Sequence, residues 1–177
     1  MKSRRAFLRA VSPVVTAAFL PKAGAASRRG NEVIIGHGSH RYKVVPGWGM
    51  LDAGKNPVNN CHELVEDHKG RILLLTDEVK NNVLVYDKSG KLTETWGNSY
   101  PGAHGFTIAG EGSDQFLLIT DHKRNQVIKT DLKGREILKL DYPRETGLYE
   151  APYQFRPTET AVNPSNGDMY VVDGYGL

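Results

Sequence analysis

The chain has 177 residues, of which 39% are hydrophobic, enough for one domain with a sizeable core. Its formal net charge is +3, but five positive charges and no acidic residue lie within residues 1–25, which leaves −2 on the remainder. The basic character therefore belongs to the N-terminus and does not indicate nucleic-acid binding. Cys61 is the only cysteine, which excludes an intrachain disulfide.

The N-terminus has the pattern of a twin-arginine signal peptide. Arg4 and Arg5 stand in the motif Ser-Arg-Arg-Ala-Phe-Leu, an apolar stretch covers residues 10–20, and Ala-Gly-Ala at residues 23–25 offers a cleavage site. The alternative is a basic, weakly apolar tail without a targeting role. The stretch is too short for a membrane span, and polar residues and a proline interrupt it. We therefore expect residues 1–25 to be a signal peptide and the mature protein to be periplasmic or secreted, with no membrane span.

A repeat runs through the rest of the chain. Three segments, starting at His62, His104 and Thr158, align with one another. The pair Thr-Asp at residues 76–77 recurs 44 residues later at 120–121, and Val-Asp follows at 172–173 after a further 52. This spacing is typical of β-propeller blades, which repeat every ~40–50 residues.

Each repeat contains short runs rich in β-forming residues, separated by Asp, Asn, Lys and Gly. In the first repeat we predict strands at residues 72–76, 83–86 and 91–96, and no segment after residue 25 has a helical pattern. The pattern predicts an all-β fold, with residues 61–177 forming propeller blades 1 to 3, the third incomplete. A β-sandwich is the alternative.

Residues 26–60 form an N-terminal segment in this scheme. Residues 31–49 end in Gly-Trp-Gly, much as the first repeat ends in Trp-Gly, so we predict a ring-closing outer strand at residues 42–48. About 150 residues provide only three blades, whereas propellers have at least four. We therefore expect the chain to be the N-terminal part of a longer one.

The first strand of every propeller blade lines the central channel, so equivalent positions converge there. His62 and His104 are equivalent in the alignment, and Thr158 takes the same place in the third repeat. Two neutral imidazoles could contribute to a zinc site, since zinc is commonly held by several histidine nitrogens. The alternative is that each histidine only hydrogen-bonds neighbouring loops.

Residues 60–177 resemble the peptidyl-α-hydroxyglycine α-amidating lyases. The resemblance rests on Gly-Ala-His-Gly at 102–105, Thr-Asp at 120–121, Gln-Val-Ile-Lys at 126–129, Pro-Thr at 157–158, Ala-Val at 161–162, Gly167 and Asp-Gly-Tyr at 173–175. It implies a six-bladed propeller of the NHL-repeat group, with His104 as a zinc ligand and Tyr175 as the catalytic base. It also implies a reaction that splits a carbinolamide into a peptide amide and glyoxylate.

The chain departs from the family at three positions. Asp77 stands where the family has an arginine, Gly176 stands where it has a cysteine, and His62 is not among the family's zinc ligands. The family's other ligands would lie beyond Leu177. The charge reversal at Asp77 favours an alternative function, a non-catalytic propeller that binds a small ligand, peptide or protein on its loop face.

The remaining polar residues have simpler interpretations. We predict that His68 and His122 are solvated and that His37 and His40 lie in an N-terminal loop, although such a pair could also chelate a metal. Asp77, Asp121 and Asp173 are predicted to cap turns. The sequence contains no phosphate-binding loop, Gly-x-Ser-x-Gly or Cys-x-x-Cys motif.

Overall fold

A computed structural model describes residues 28–29 and 32–176 of the chain. The predicted signal peptide, residues 1–25, lies outside the described residues. The described residues divide into two compact units, one ending at Pro46 and the other starting at Gly47. Among the described residues, no helix has the length and apolar character needed to span a membrane.

The first unit contains an antiparallel three-stranded sheet in the order β1 (Arg28–Arg29), β2 (Glu32–His37), β3 (His40–Val44). His37 and His40 face each other across a two-residue turn, so they end two strands and the prediction of a loop for them is wrong. The predicted outer strand at 42–48 is a strand only up to Val44, and its partner is β2.

The second unit consists of three antiparallel sheets that follow one another along the chain. The first comprises β4 (Cys61–Glu66), β5 (Ile72–Thr76), β6 (Val83–Tyr86) and β7 (Leu92–Trp96); the second comprises β8 (Ala103–Ala109), β9 (Phe116–Asp121), β10 (Gln126–Asp131) and β11 (Glu136–Leu140); the third comprises β12 (Glu159–Val162) and β13 (Met169–Val172). Short 3₁₀ turns cover 112–114, 144–146 and 152–154. The all-β prediction is confirmed, as are the predicted strands at 72–76 and 83–86, while the third strand starts one residue later than predicted.

A recurring turn joins several neighbouring strands. In each case an aspartate Oδ1 accepts the backbone N–H groups two and four residues further on, at 2.8–3.1 Å, and a glycine three residues after the aspartate has a φ of 73–85°. Glycine adopts this left-handed conformation without a steric penalty. The turns begin at Asp67, Asp87 and Asp131, which explains the repeated Asp-x-x-Gly motif.

The core of the second unit lies between its first two sheets. Consecutive residues of the inner strands β6 and β9 are buried, so both faces of these strands are covered. The buried residues that pack together between the two sheets are mainly Leu73, Leu75, Val83, Val85, Phe106, Leu117, Ile119 and Ile128. Strand β8 packs against both β4 and β12. The first strands of the three sheets therefore lie side by side, and this brings His62, His104 and Thr158 together.

Candidate functional site

His104 is at the centre of the candidate site because both of its ring nitrogens have partners. It lies near the start of β8, where the pairing with β9 is irregular. Nδ1 is 2.9 Å from the carbonyl oxygen of Thr158, and Nε2 is 3.1 Å from the hydroxyl of Tyr175. A carbonyl oxygen can only accept a hydrogen bond, so Nδ1 carries the proton of the neutral ring. Nε2 therefore accepts a hydrogen bond from the Tyr175 hydroxyl.

Tyr175 is held in place by the turn that follows β13. One carboxylate oxygen of Asp173 accepts the backbone N–H of Arg156 at 2.8 Å, and the other accepts the hydroxyl of Tyr149 at 2.8 Å. A Cβ at Gly174 would lie 2.4 Å from Oγ1 of Thr158, so only glycine allows this close approach. The Asp-Gly-Tyr motif thus places the phenol next to His104, while about half of the Tyr175 side chain remains exposed.

His62 lies against the face of His104. The two ring centroids are 4.2 Å apart and the ring planes differ by 27°. Burial and the neighbouring His104 lower the pKa of His62, and Asp77 opposes them. The carboxylate of Asp77 accepts hydrogen bonds from the side-chain amides of Asn59 and Asn60, both at 2.9 Å. Asp77 therefore anchors the segment that leads into β4.

His122 is the residue that the sequence interpretation missed. Its ring lies edge-on to Tyr175 at 5.4 Å and to His104 at 6.0 Å, and its Nδ1 is buried with no hydrogen-bond partner in the part of the chain that the structure describes. Burial lowers the pKa of His122, as does the charge of Arg156. The prediction that His122 is solvated is therefore wrong, whereas His68 is exposed and bonds with Gln115.

The repeat itself contained a signal for His122. Asp121 and Asp173 are equivalent positions, so the residues just after them belong to equivalent turns at the same end of their sheets. Tyr175 follows Asp173 by two residues, and His122 follows Asp121 by one. The prediction that Asp121 caps a turn is confirmed, since its Oδ1 accepts the backbone N–H groups of Lys123 and Arg124 at 3.0 and 2.9 Å.

The residues fit a zinc ion only in part. His104 has the tautomer that suits a ligand, because metal-bound histidines usually donate their other N–H to a carbonyl or carboxylate. The rings of His62 and His104 are stacked, so their nitrogen lone pairs lie in nearly parallel planes. In this arrangement the two residues cannot both direct a nitrogen at one nearby ion. Within residues 28–29 and 32–176, no three His, Cys, Asp or Glu side chains are grouped to hold a metal. Catalytic zinc sites generally have three protein ligands.

A scan against protein-family models finds no family that matches the chain. The site is therefore defined by its own geometry. It contains a phenol, three imidazoles and a neighbouring guanidinium, contributed by the starts of β4 and β8, by the turn between β9 and β10, and by the segments that flank the third sheet. Such a set can transfer protons and bind an anion.

Proposed function

We propose that the three sheets of residues 61–177 are successive blades of an exported NHL-type β-propeller related to the peptidyl-α-hydroxyglycine α-amidating lyases. The order of the sheets and the packing of β8 between β4 and β12 support this, because first strands lie side by side around a propeller axis. The observation that carries the functional proposal is the hydrogen bond from the hydroxyl of Tyr175 to Nε2 of His104.

In the proposed reaction the substrate is a peptide that ends in an α-hydroxyglycine. The phenol oxygen of Tyr175 takes the proton of the substrate hydroxyl as its own proton passes to His104. The C–O bond then becomes the aldehyde of glyoxylate, and the electron pair of the breaking C–N bond moves to nitrogen. Return of the proton to that nitrogen gives the peptide amide. A base already hydrogen-bonded to its partner is suited to such general acid–base catalysis.

Thr158 has a positioning role in this scheme. Its carbonyl oxygen accepts the Nδ1 proton of His104 and so keeps the Nε2 lone pair directed at Tyr175. An imidazole fixed by a second hydrogen bond is the usual arrangement of a histidine that exchanges protons at its other nitrogen.

The resemblance also implies zinc, and we propose His104 as a ligand and His62 as a further candidate, which would have to leave its stacked position to reach the same ion. Zinc would supply Lewis-acid stabilisation of the substrate oxygen. Nε2 of His104 has one lone pair, so it can either coordinate the ion or accept the hydrogen bond from the Tyr175 hydroxyl, but not both at once. The described residues fall short of a complete zinc site, so we derive no step of the reaction through the metal.

The experiment that tests this function measures glyoxylate release from an α-hydroxyglycine peptide, with zinc content determined on the same sample. Tyr175→Phe removes the hydroxyl but keeps the ring, and we expect kcat to fall by about 10²- to 10⁴-fold. Tyr170→Phe is the matched control, because Tyr170 is exposed on β13 and should leave the rate unchanged. Full activity in Tyr175→Phe, or no glyoxylate release by the wild-type protein, would contradict the lyase proposal.

A second candidate function is a propeller that only binds a small ligand, peptide or protein partner. The observation that favours it is Asp77, an acid bound to two asparagines at the position of the family's arginine. A protein that binds α-hydroxyglycine peptides without releasing glyoxylate would support this alternative.

A further inference from the structure

Arg156 lies beside Tyr175 and has no ion-pair partner among the described residues. Its main chain is fixed, because its N–H donates to Asp173 at 2.8 Å and its carbonyl oxygen accepts the N–H of Tyr175 at 3.4 Å. Its guanidinium carbon is 5.9 Å from the centroid of the Tyr175 ring. In the part of the chain that the structure describes, this guanidinium forms no ion pair.

Asp173, whose carboxylate bonds with the main chain of Arg156, forms no ion pair with its guanidinium among the described residues. Both carboxylate oxygens of Asp173 have partners, the backbone of Arg156 and the hydroxyl of Tyr149. The exposed side chain of Arg156 is thus free to pair with an external anion. A guanidinium matches a carboxylate particularly well, because two of its N–H groups can bond with the two oxygens at once.

The opposite flank of the ring cluster has the opposite charge. The negative charge of Asp77 raises the pKa of His62, although burial and His104 lower it more. The positive charge of Arg156 lowers the pKa of His122, as burial also does. Asp121 opposes Arg156 at His122; its Oδ1 is taken up by the turn that it caps, whereas its Oδ2 is buried with no hydrogen-bond partner among the described residues. A ligand with one carboxylate would therefore be repelled at the Asp77 flank and attracted at the Arg156 flank.

We propose that Arg156 is a specificity-determining residue that binds the carboxylate of a small anionic ligand next to Tyr175. The ligand class is a small molecule with a free carboxylate, bound within reach of the Tyr175 hydroxyl. Its identity as an α-hydroxyglycine peptide rests on the proposed function, whereas the preference for a carboxylate does not. The buried, unpartnered Nδ1 of His122 lies in the same cluster, and a bound ligand or water would satisfy it.

The first test is direct binding of glyoxylate to the protein, measured by isothermal titration calorimetry. Arg156→Gln removes the charge but keeps a polar side chain, and we expect affinity to fall by about 10- to 100-fold, as for loss of a hydrogen-bonded charge. Arg124→Gln is the matched control, because its guanidinium carbon lies 5.8 Å from the centroid of another tyrosine, Tyr100. Arg156→Lys should recover part of the affinity, since it restores the charge without the paired N–H groups.

The second test separates this inference from the lyase proposal. With an α-hydroxyglycine peptide, Arg156→Gln should raise KM by a similar factor, while KM for the corresponding carboxamide, which has no charge, should not change.

Glyoxylate binding that depends on Arg156 without any glyoxylate release would preserve the inference and remove the lyase function. Glyoxylate release with equal KM in wild type and Arg156→Gln would preserve the lyase function and remove the inference about Arg156. No measurable glyoxylate binding by the wild-type protein, or equal losses in Arg156→Gln and Arg124→Gln, would overturn the inference.

Discussion

At the scale of single residues, the site depends on a hydrogen-bond chain that fixes one tautomer. The carbonyl oxygen of Thr158 accepts the proton on Nδ1 of His104, and this leaves Nε2 to accept the hydroxyl of Tyr175. These hydrogen bonds join the start of β8 to the segment before β12 and to the turn after β13. Its geometry therefore reports directly on whether the second and third sheets are correctly placed.

We predict that neutral His104 carries its proton on Nδ1. Nitrogen-15 chemical shifts of the imidazole ring distinguish the two tautomers and would show this at a pH where the ring is neutral. Tyr175→Phe should leave the proton on Nδ1, because the carbonyl of Thr158 is unchanged in that variant. A proton on Nε2 in either protein would contradict the hydrogen-bond chain. Assignment can be checked with His104→Gln, in which the signals of this ring should disappear.

At the scale of secondary-structure elements, the Asp-x-x-Gly turns set the ends of the strands. Glycines in these turns and in the turn between β12 and β13 share the left-handed conformation but differ in their surroundings. Gly167, in the turn between β12 and β13, has a φ of 78° and no atom within 4 Å of an added Cβ, whereas Gly90 has a φ of 85° and its Cβ would lie 1.7 Å from the carbonyl oxygen of Trp48. The two positions therefore separate conformational strain from steric overlap.

We predict that Gly167→Ala lowers the free energy of unfolding by about 1–2 kcal/mol, the usual penalty for a side chain in the left-handed region. Gly90→Ala should cost clearly more, because relief of the overlap requires movement of the backbone at Trp48. Urea unfolding of both variants, analysed by linear extrapolation, measures the difference. Equal unfolding midpoints would show that the approach of Trp48 to this turn is not tight in solution.

Repeats and turn motifs made much of this architecture predictable. Strands at 72–76 and 83–86 could be read from β-branched and leucine-rich runs between turn residues, because local preference and burial agree there. The alignment of His62 with His104 also predicted that they would meet. The limits of β3 could not be read from the sequence, since residues 42–48 look like the end of a repeat while the hairpin partner β2 precedes them. His122 was missed because a histidine in a polar turn looks solvated until the rings that cover it are placed.

At the scale of the whole second unit, the three sheets are joined through their first strands. The backbone N–H of Phe106 on β8 donates to Oε2 of Glu63 on β4 at 2.7 Å, and Oγ1 of Thr107 donates to the carbonyl oxygen of Thr160 on β12 at 2.7 Å. The carboxyl group of Glu159 on β12 lies close enough to Glu63 to raise the pKa of Glu63. A Cβ at Gly105 would lie 2.8 Å from Oε1 of Glu159, so this glycine makes room for the carboxyl group.

The Glu63–Glu159 pair makes the joint between the sheets sensitive to pH. Burial raises the pKa of Glu63, and the neighbouring carboxyl group of Glu159 raises it further. The hydrogen bond from the N–H of Phe106 lowers it. The resulting pKa of Glu63 is about 7. The ordinary pKa of a glutamate is 4.5, and we use this value for the unfolded chain. Because the folded state binds the proton more tightly, this group's contribution to stability is complete below pH 4.5 and is lost as the pH rises through 7.

We predict that Glu63→Gln reduces the loss of stability between pH 5 and pH 8. The amide cannot ionise, and its carbonyl oxygen can still accept the N–H of Phe106, so the contact between β4 and β8 no longer depends on a proton. Urea midpoints at pH 5, 6, 7 and 8 test this, with Glu66→Gln at the exposed end of the same strand as the control. If Glu63→Gln destabilises the protein equally at every pH and keeps the wild-type slope, Glu63 is already ionised in the folded state. The two carboxyl groups would then have to be separated by water or a cation, because two adjacent unscreened carboxylates repel each other strongly.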